Sequence, residues 1–226
     1  MAKFAKIIRE NKEIFLVKKF INHFKSLIEN NKKERFSFVL TGGNSPINLY
    51  KQLSITKNIP WEKVDFFMGD ERYVSENSKY SNIKMCKKFL LNKLSISKKQ
   101  IYHISTKNKL IYKDVKNYEN KLKKYFKNKK KSFDLILLGI GNDGHIASLF
   151  KENINKKINK NVYTVTRDDF LRITLSINCI NRGKSIFLWA PGNRKKKIIY
   201  KLIRDKKLRY PASFLNKKNT FLFYSY

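Results

Sequence analysis

FDLILLGIGNDGHIASLF, residues 133–150, gives the strongest indication of fold and site in the chain. Apart from Asp134, its first six residues form a short apolar run, which is typical of a central parallel strand. Glycines at 139, 141 and 144 allow the backbone to turn sharply and to approach a ligand. Asp143 and His145 come where we expect the next helix to start, at the carboxyl end of the strand. Ligands bind at this edge of open α/β sheets, so the stretch predicts an active site.

Strands and helices alternate along the rest of the sequence, without a linker or an internal repeat. This order favours an α/β fold, a Rossmann-like three-layer sandwich with a mostly parallel central sheet, as one domain over residues 1–226. The predicted strands are 36–40, 64–68, 101–104, 133–138, 162–165, 172–176, 185–190 and 221–224, and the predicted helices are 12–30, 80–94, 112–127 and 194–204.

Composition restricts the class of protein. The chain has 226 residues, of which 42% are hydrophobic, enough for one α/β domain with a full core. No apolar run approaches the roughly 18 residues of a membrane span, and the N-terminus lacks an apolar signal core. Cys86 and Cys179 stand far apart, which fits a reducing compartment. We therefore expect a cytoplasmic protein without a membrane partner.

The net charge of +34 raises the possibility of nucleic-acid binding. The lysines, however, are spread over almost every segment and are not gathered in one arm or stripe. This distribution favours solvated faces over a specific nucleic-acid site. The net positive charge still produces a positive electrostatic field around the protein, and this field attracts anionic substrates. A basic nucleic-acid-binding protein or a sugar-phosphate sensor stays open as a non-enzyme alternative.

Glycine usage indicates where the ligand site lies. Of the 8 glycines, all but Gly183 fall in four loops that each follow a predicted strand. We expect these loops to line one site. In the first loop, Gly42, Gly43, Asn44 and Ser45 precede a proline. Ser45 is a good helix N-cap, and the free N–H groups of a helix start favour phosphate, although an ordinary capped turn has the same pattern.

Charged residues occupy two of the other loops. Asp70, Glu71 and Arg72 follow the second predicted strand, and the guanidinium of Arg72 suits a phosphate or a carboxylate. Asp70 and Glu71 suit a base and its partner, or residues that only hold the arginine. Arg172 begins a strand and Lys195 opens a helix, and both are candidate phosphate ligands. A surface ion pair and a non-specific basic cluster are the alternatives.

His145 is the candidate general base, because imidazole titrates near neutral pH and can deprotonate water. Asp143 is the candidate group that orients the imidazole. The same loop matches the pattern GxGxxG at 139, 141 and 144, which alone is weak evidence for a dinucleotide. Asp168 and Asp169 lie at a tolerable distance for that alternative, but a histidine and a short segment follow the glycines where a long helix is expected.

Together these blocks resemble the glucosamine-6-phosphate isomerase/6-phosphogluconolactonase family. The matching blocks are TGGNSP, FFMGDERYV followed by Ser81 and Asn82, LLGIGNDGHIASLF, RITL, GNRK and a late Tyr-Pro-Ala, in order from about residue 36 to 215. In the isomerase branch a glutamate lies five residues after the histidine, whereas here that position is Phe150. The lactonase branch is therefore favoured, with the isomerase as the alternative.

The resemblance implies hydrolysis of 6-phospho-D-glucono-1,5-lactone to 6-phospho-D-gluconate, without a metal or an organic cofactor. His145 would be the base that activates water, assisted by Asp143. Arg72, Arg172 and Lys195, with the loop at Gly43, would hold the phosphate and the oxyanion. The implied partner is the phosphosugar lactone alone, and the protein is expected to be a monomer or a homodimer. Asn44 and Ser45 replace the family's usual Ser-Thr, a change that leaves the backbone donors in place.

Overall fold

The computed structural model describes residues 4–127, 132–154, 160–204 and 210–226. Within these ranges, seven strands form a parallel sheet with the order β1-β10-β9-β6-β2-β3-β5, flanked by helices. The predicted α/β three-layer fold is confirmed. The strands of this sheet are β1 (Lys6–Glu10), β2 (Phe36–Leu40), β3 (Val64–Met68), β5 (Ile101–Tyr102), β6 (Leu135–Gly139), β9 (Ser185–Pro191) and β10 (Thr220–Ser225).

Seven helices accompany the sheet in the described ranges. They are α1 (Glu13–Glu29), α2 (Ile47–Ile55), α3 (Asn82–Phe89), α4 (Ile111–Tyr125), α5 (Lys151–Ile154), α6 (Ile177–Asn181) and α7 (Lys196–Arg204). None of these helices is long and apolar enough to cross a membrane.

The strand order reverses between β2 and β6. From β2 the chain adds β3 and β5 on one side, and from β6 it adds β9 and β10 on the other, where β10 pairs with the N-terminal β1 at the edge. Thr41, directly after β2, accepts a hydrogen bond on its Oγ1 from the Gly139 N–H at the end of β6, at 3.2 Å. The loops after these two strands therefore start side by side and then diverge. The space between them is a crevice of the kind in which α/β sheets bind ligands.

Residues 69–72 were expected to form a loop, but three of them belong to a second, antiparallel sheet. Residues Asp70–Arg72 form β4, which pairs with β8 (Leu171–Leu175), and β8 pairs with β7 (Val162–Thr166). Arg72 lies opposite Arg172 in this register. A three-residue strand of charged side chains has no apolar alternation, so the sequence pattern did not reveal it.

Three further local predictions were wrong. The helix after the first glycine loop begins at Ile47 with Pro46 as its N-cap residue, and Ser45 makes no capping hydrogen bond. No helix starts at His145; turns and isolated bridges follow, and helix α5 begins at Lys151. Strand β1 was missed altogether, because half of its residues are polar and exposed at the sheet edge.

Two buried tyrosines satisfy the backbone where central strands end. The Tyr50 hydroxyl accepts from the Thr41 N–H at 3.0 Å and donates to the Thr41 carbonyl at 2.7 Å. The Tyr118 hydroxyl does the same for both groups of Met68. At the end of each strand the backbone N–H and carbonyl groups no longer pair with a neighbouring strand, and the tyrosine hydroxyl bonds to them instead. Each hydroxyl thereby fixes the point at which a loop leaves the sheet.

Tyr50→Phe is expected to lower the free energy of unfolding by about 1–3 kcal/mol, because it removes the partner of the buried Thr41 N–H and leaves the Thr41 carbonyl only the weak bond from the Cys86 thiol at 3.8 Å. Urea titration of the variant against wild type measures the change. Tyr112→Phe is the matched control, since Tyr112 is 60% exposed and should stay within about 0.5 kcal/mol of wild type. Equal stability of all three proteins would contradict this role of the hydroxyl.

Candidate active site

A cleft of about 190 Å³ lies where the loops after β2 and β6 separate. It is bordered by residues from the first glycine loop, β4, the loop after β6 and the start of α7. Of the predicted site residues, those that line it are Gly42, Gly43, Ser45, Asp70, Arg72, His145 and Lys195. All four predicted loops therefore contribute to one site or lie directly beside it.

His145 and Asp143 form a pair at one end of the cleft. The Nδ1 atom of His145 lies 2.6 Å from Asp143 Oδ1, which also accepts from the His145 backbone N–H at 3.2 Å. Burial acts to raise the pKa of Asp143, but the charge and hydrogen bonds of His145 outweigh it and lower the pKa. An ionised Asp143 can only accept, so Nδ1 carries a proton, and in the neutral imidazole the lone pair is on Nε2.

The pair is held in a tight backbone turn. A Cβ placed on Gly141 would lie 2.1 Å from His145 Nδ1 and 2.5 Å from Asp143 Oδ1. On its other side, the imidazole packs against Phe150, with ring centroids 4.7 Å apart. The guanidinium of Arg167 lies over the same phenyl ring, 4.1 Å from its centroid. Phe150 thus fixes the imidazole plane by packing.

The glycine loop and two basic side chains make the cleft suited to an anion. Trp189, fully buried in β9, donates from its indole nitrogen to the Ser45 carbonyl at 3.0 Å and so anchors the glycine loop. Lys195 Nζ lies 3.1 Å from Asn142 Oδ1. Burial lowers the pKa of Lys195, and Asp143 acts in the opposite direction. Arg72 donates to the Tyr80 carbonyl at 2.8 Å, which fixes the direction of its side chain.

The two neighbouring acids of β4 have different surroundings. The Asp70 carboxylate borders the cleft and accepts from the Ser148 hydroxyl at 2.6 Å. Glu71 is buried on the opposite side of the strand, where it accepts from the backbone N–H groups of Arg72, Asn82 and Ile83. Glu71 therefore caps the start of α3, whereas Asp70 is available to a ligand.

Burial raises the pKa of Glu71 to about 7, despite the backbone hydrogen bonds that oppose it. A carboxyl group whose pKa is raised in the folded state stabilises the fold at low pH and loses that contribution as pH rises through about 7. Between pH 5 and pH 8, wild type should lose about 2–3 kcal/mol of stability relative to Glu71→Gln. Denaturant titrations at the two pH values measure this difference, and parallel pH profiles would contradict it.

Two predicted ligands lie outside the cleft lining. Asn44 is exposed in the glycine loop. Arg172 is held by the Asp169 carboxylate through two hydrogen bonds of 2.8 and 2.6 Å, and its guanidinium lies 5.5 Å from the Phe150 ring centroid. In this arrangement the guanidinium of Arg172 packs near Phe150 and is paired with Asp169.

Sequence reasoning missed the contribution of four lining residues, namely Thr41, Asn82, Ile140 and Ala147. Asn82 follows Ser81 in one of the quoted blocks, but spacing alone gave it no role. Among the described residues, no group of three or more His, Cys, Asp and Glu side chains is placed to hold a metal ion.

Comparison with known proteins identifies the family. The family model described as glucosamine-6-phosphate isomerases/6-phosphogluconolactonase matches residues 12–223. The chain belongs to this family. A relative in the family, 6-phosphogluconolactonase from Synechocystis sp., is 35% identical over 185 residues, which cover 79% of this chain and 77% of the relative.

Solved structures of the family share the fold. The crystal structure of 6-phosphogluconolactonase from Thermotoga maritima superposes with a TM-score of 0.83 at 27% identity, over 97% of this chain and 98% of that one. A monomeric glucosamine-6-phosphate deaminase gives a TM-score of 0.84 at 18% identity, with 97% of each chain covered. Because both branches of the family have this fold, the choice of reaction depends on the site.

Proposed function

We propose that the protein hydrolyses 6-phospho-D-glucono-1,5-lactone to 6-phospho-D-gluconate, in the oxidative pentose phosphate pathway and in the cytoplasm. The observation that carries the proposal is the His145–Asp143 pair, at 2.6 Å, whose histidine lines the same cleft as a phosphate-type loop. The relatives named above carry the same activity in their names.

The phosphate of the substrate occupies the glycine-loop end in this proposal. Gly43 and Ser45 line the cleft, and in this proposal their backbone N–H groups bind the phosphate, while Arg72 and Lys195 border the cleft with positive charge. Two fixed cations and a set of backbone donors match a dianionic phosphate. Binding at the phosphate then places the lactone carbonyl, at the far end of the substrate, beside His145.

His145 acts as the general base. Its Nε2 removes a proton from water as the water oxygen bonds to the lactone carbonyl carbon, and the carbonyl electrons move onto the oxygen. The tetrahedral intermediate then collapses, the bond from carbon to the ring oxygen breaks, and the imidazolium returns its proton to that oxygen. Asp143 stabilises the imidazolium through Nδ1, and Lys195 and Arg72 contribute positive potential to the oxyanion.

The isomerase/deaminase reaction is the second candidate within the family. That chemistry opens a sugar ring and moves protons between carbon atoms, which calls for a further acid–base group near the histidine. The residue packed against His145 is Phe150, which has no exchangeable proton. The phenyl ring favours the lactonase reaction.

A substrate comparison tests the proposal. Wild-type protein is incubated with freshly prepared lactone, with lactone loss followed by NMR, and separately with glucosamine 6-phosphate, with ammonium release measured. We expect turnover of the lactone and no ammonium above the blank. Ammonium release without acceleration of lactone loss would refute the lactonase assignment in favour of the other branch.

A further inference from the structure

The side chain of Asn142 contacts Lys195, one of the two cations that border the cleft. Its Oδ1 accepts a hydrogen bond from Lys195 Nζ at 3.1 Å. Lys195 lines the cleft, whereas Asn142 lies outside the lining. Within the part of the chain that the structure describes, this amide oxygen is the one hydrogen-bond partner of the ammonium group. Asn142 is therefore placed to act on a ligand through Lys195.

The backbone turn that carries Asn142 is held by hydrogen bonds. Asn142 and Asp143 are the central residues of a four-residue turn that begins at Gly141. The N–H of the fourth residue closes the turn on the Gly141 carbonyl at 3.0 Å, and the Gly141 N–H donates to the His145 carbonyl at 2.8 Å. From this turn Asp143 reaches His145. From the same turn Asn142 reaches Lys195, so the turn that orients the base also orients the cation.

The Lys195 side chain needs a partner to stay in one direction. A lysine side chain is a flexible four-carbon stem that loses much rotamer entropy when its ammonium group is fixed. Arg194 precedes Lys195 and two further lysines follow it, and this crowding of positive charge favours rotamers that separate the cations. A hydrogen bond that already holds Nζ before a ligand arrives lowers the entropy lost on binding.

The chemical type of the partner decides how much charge remains for a ligand. The amide oxygen of Asn142 is neutral, so it orients the ammonium group and leaves its positive charge uncompensated. A carboxylate at the same place would form an ion pair, which an incoming phosphate would have to break. Arg172 shows that second arrangement, because its guanidinium is paired with the Asp169 carboxylate.

We propose that Asn142 is a positioning residue that holds the Lys195 ammonium group at the cleft, where it meets the substrate phosphate with its charge intact. The inference rests on the proposed function, in which Lys195 contacts that phosphate. Asn142 does not touch the substrate in this arrangement. Its effect therefore passes through Lys195, and it is confined to ligands that carry a phosphate.

A double-mutant cycle on Asn142 and Lys195 tests the proposal. Asn142→Ala should lower kcat/KM for the phosphorylated lactone by about 3–10-fold, mainly by raising KM, since it removes one hydrogen bond to a charged group. In a Lys195→Ala background the same substitution should change kcat/KM less than about twofold. Losses that multiply in the double variant would overturn the proposal, because Asn142 would then act without Lys195.

Two controls separate positioning from a general disturbance of the loop. With glucono-1,5-lactone, which has no phosphate, Asn142→Ala should match wild type. An equal loss on this substrate would mean that the substitution disturbs the Asp143–His145 turn and would contradict the proposal. Asn77→Ala removes an exposed amide away from the cleft lining, and it should keep the wild-type kcat/KM with both substrates.

Asn142→Asp tests the need for a neutral partner. The carboxylate keeps an acceptor oxygen at the same place, but it pairs with the Lys195 ammonium group as an ion and adds negative charge next to Asp143. We expect KM for the phosphorylated lactone to rise at least as much as in Asn142→Ala. A wild-type KM in Asn142→Asp would overturn the proposal, because a compensated ammonium group would then bind the phosphate equally well.

A binding measurement keeps this inference separate from the proposed reaction. Calorimetry with 6-phospho-D-gluconate, a stable compound, measures phosphate binding without catalysis. Wild type should bind it about 3–10-fold more tightly than Asn142→Ala, and the difference should vanish in a Lys195→Ala background. If this pattern is found but no lactone is hydrolysed, the reaction is wrong and the positioning role is right. Equal binding by wild type and Asn142→Ala, or no binding by wild type, would refute the positioning role whether or not lactone is hydrolysed.

Discussion

His145→Ala is expected to lower kcat for lactone hydrolysis by about 10²–10⁴-fold, because it removes the group that takes the proton from water. Asp143→Asn should lower kcat by about 10–10³-fold, since an amide neither fixes the Nδ1–H tautomer as well nor stabilises the imidazolium. The double variant should be no slower than about the worse of the two single variants, because the residues act as one unit through the 2.6 Å contact.

The matched control is another histidine. His23 lies on α1, where its Nδ1 bonds to the Lys19 carbonyl, far from the cleft lining. His23→Gln should therefore keep the wild-type kcat. Steady-state rates of the four variants, corrected for spontaneous hydrolysis, test these expectations. Multiplicative losses in the double variant would show that Asp143 and His145 contribute independently, contrary to this account.

Lys195→Ala is expected to lower kcat/KM for the phosphorylated lactone by about 10²-fold, the effect of losing one charge-assisted contact to a dianion in a partly buried site. The effect should depend on the phosphate group. With glucono-1,5-lactone, which has no phosphate, Lys195→Ala and wild type should have similar and low kcat/KM. The ratio of the two substrates in each protein is the quantity to measure.

Lys197 provides the control for net charge. It lies two residues further along the chain with its side chain exposed on α7, so Lys197→Ala removes the same charge without touching the cleft. Its kcat/KM should stay within about twofold of wild type at moderate salt, where surface charges are screened. Equal losses in both lysine variants would mean that the general positive field, and not the contact of Lys195, binds the substrate.

Much of the fold could be predicted from the sequence because the central strands are buried on both faces. β2 and β3 are apolar runs with one polar residue each, Ser37 and Asp65, and their predicted bounds match the structure. The sequence did not predict β4 and β1, for the opposite reason. Their residues are charged or lie at an edge, so their strand geometry comes from pairing with a distant segment and leaves no periodic pattern.

The candidate site was predictable where it depends on the ends of strands. Gly42, His145 and Lys195 meet because parallel strands deliver their loops to one edge. The partners of individual side chains were not predictable. The Arg172 side chain pairs with Asp169, three residues earlier in the chain. The side-chain amide of Asn82, at the start of α3, donates to Asp70 on β4. Such contacts depend on packing that spacing does not encode.

The measurement that tests the central claim most directly is the rate at which fresh 6-phospho-D-glucono-1,5-lactone disappears, read against its spontaneous hydrolysis in the same buffer. The account predicts a rate that rises in proportion to wild-type protein and falls nearly to the spontaneous value with His145→Ala at equal concentration. If the wild-type protein leaves the spontaneous rate unchanged, or if the His145→Ala protein matches wild type, then His145 is not the base of a lactone hydrolase.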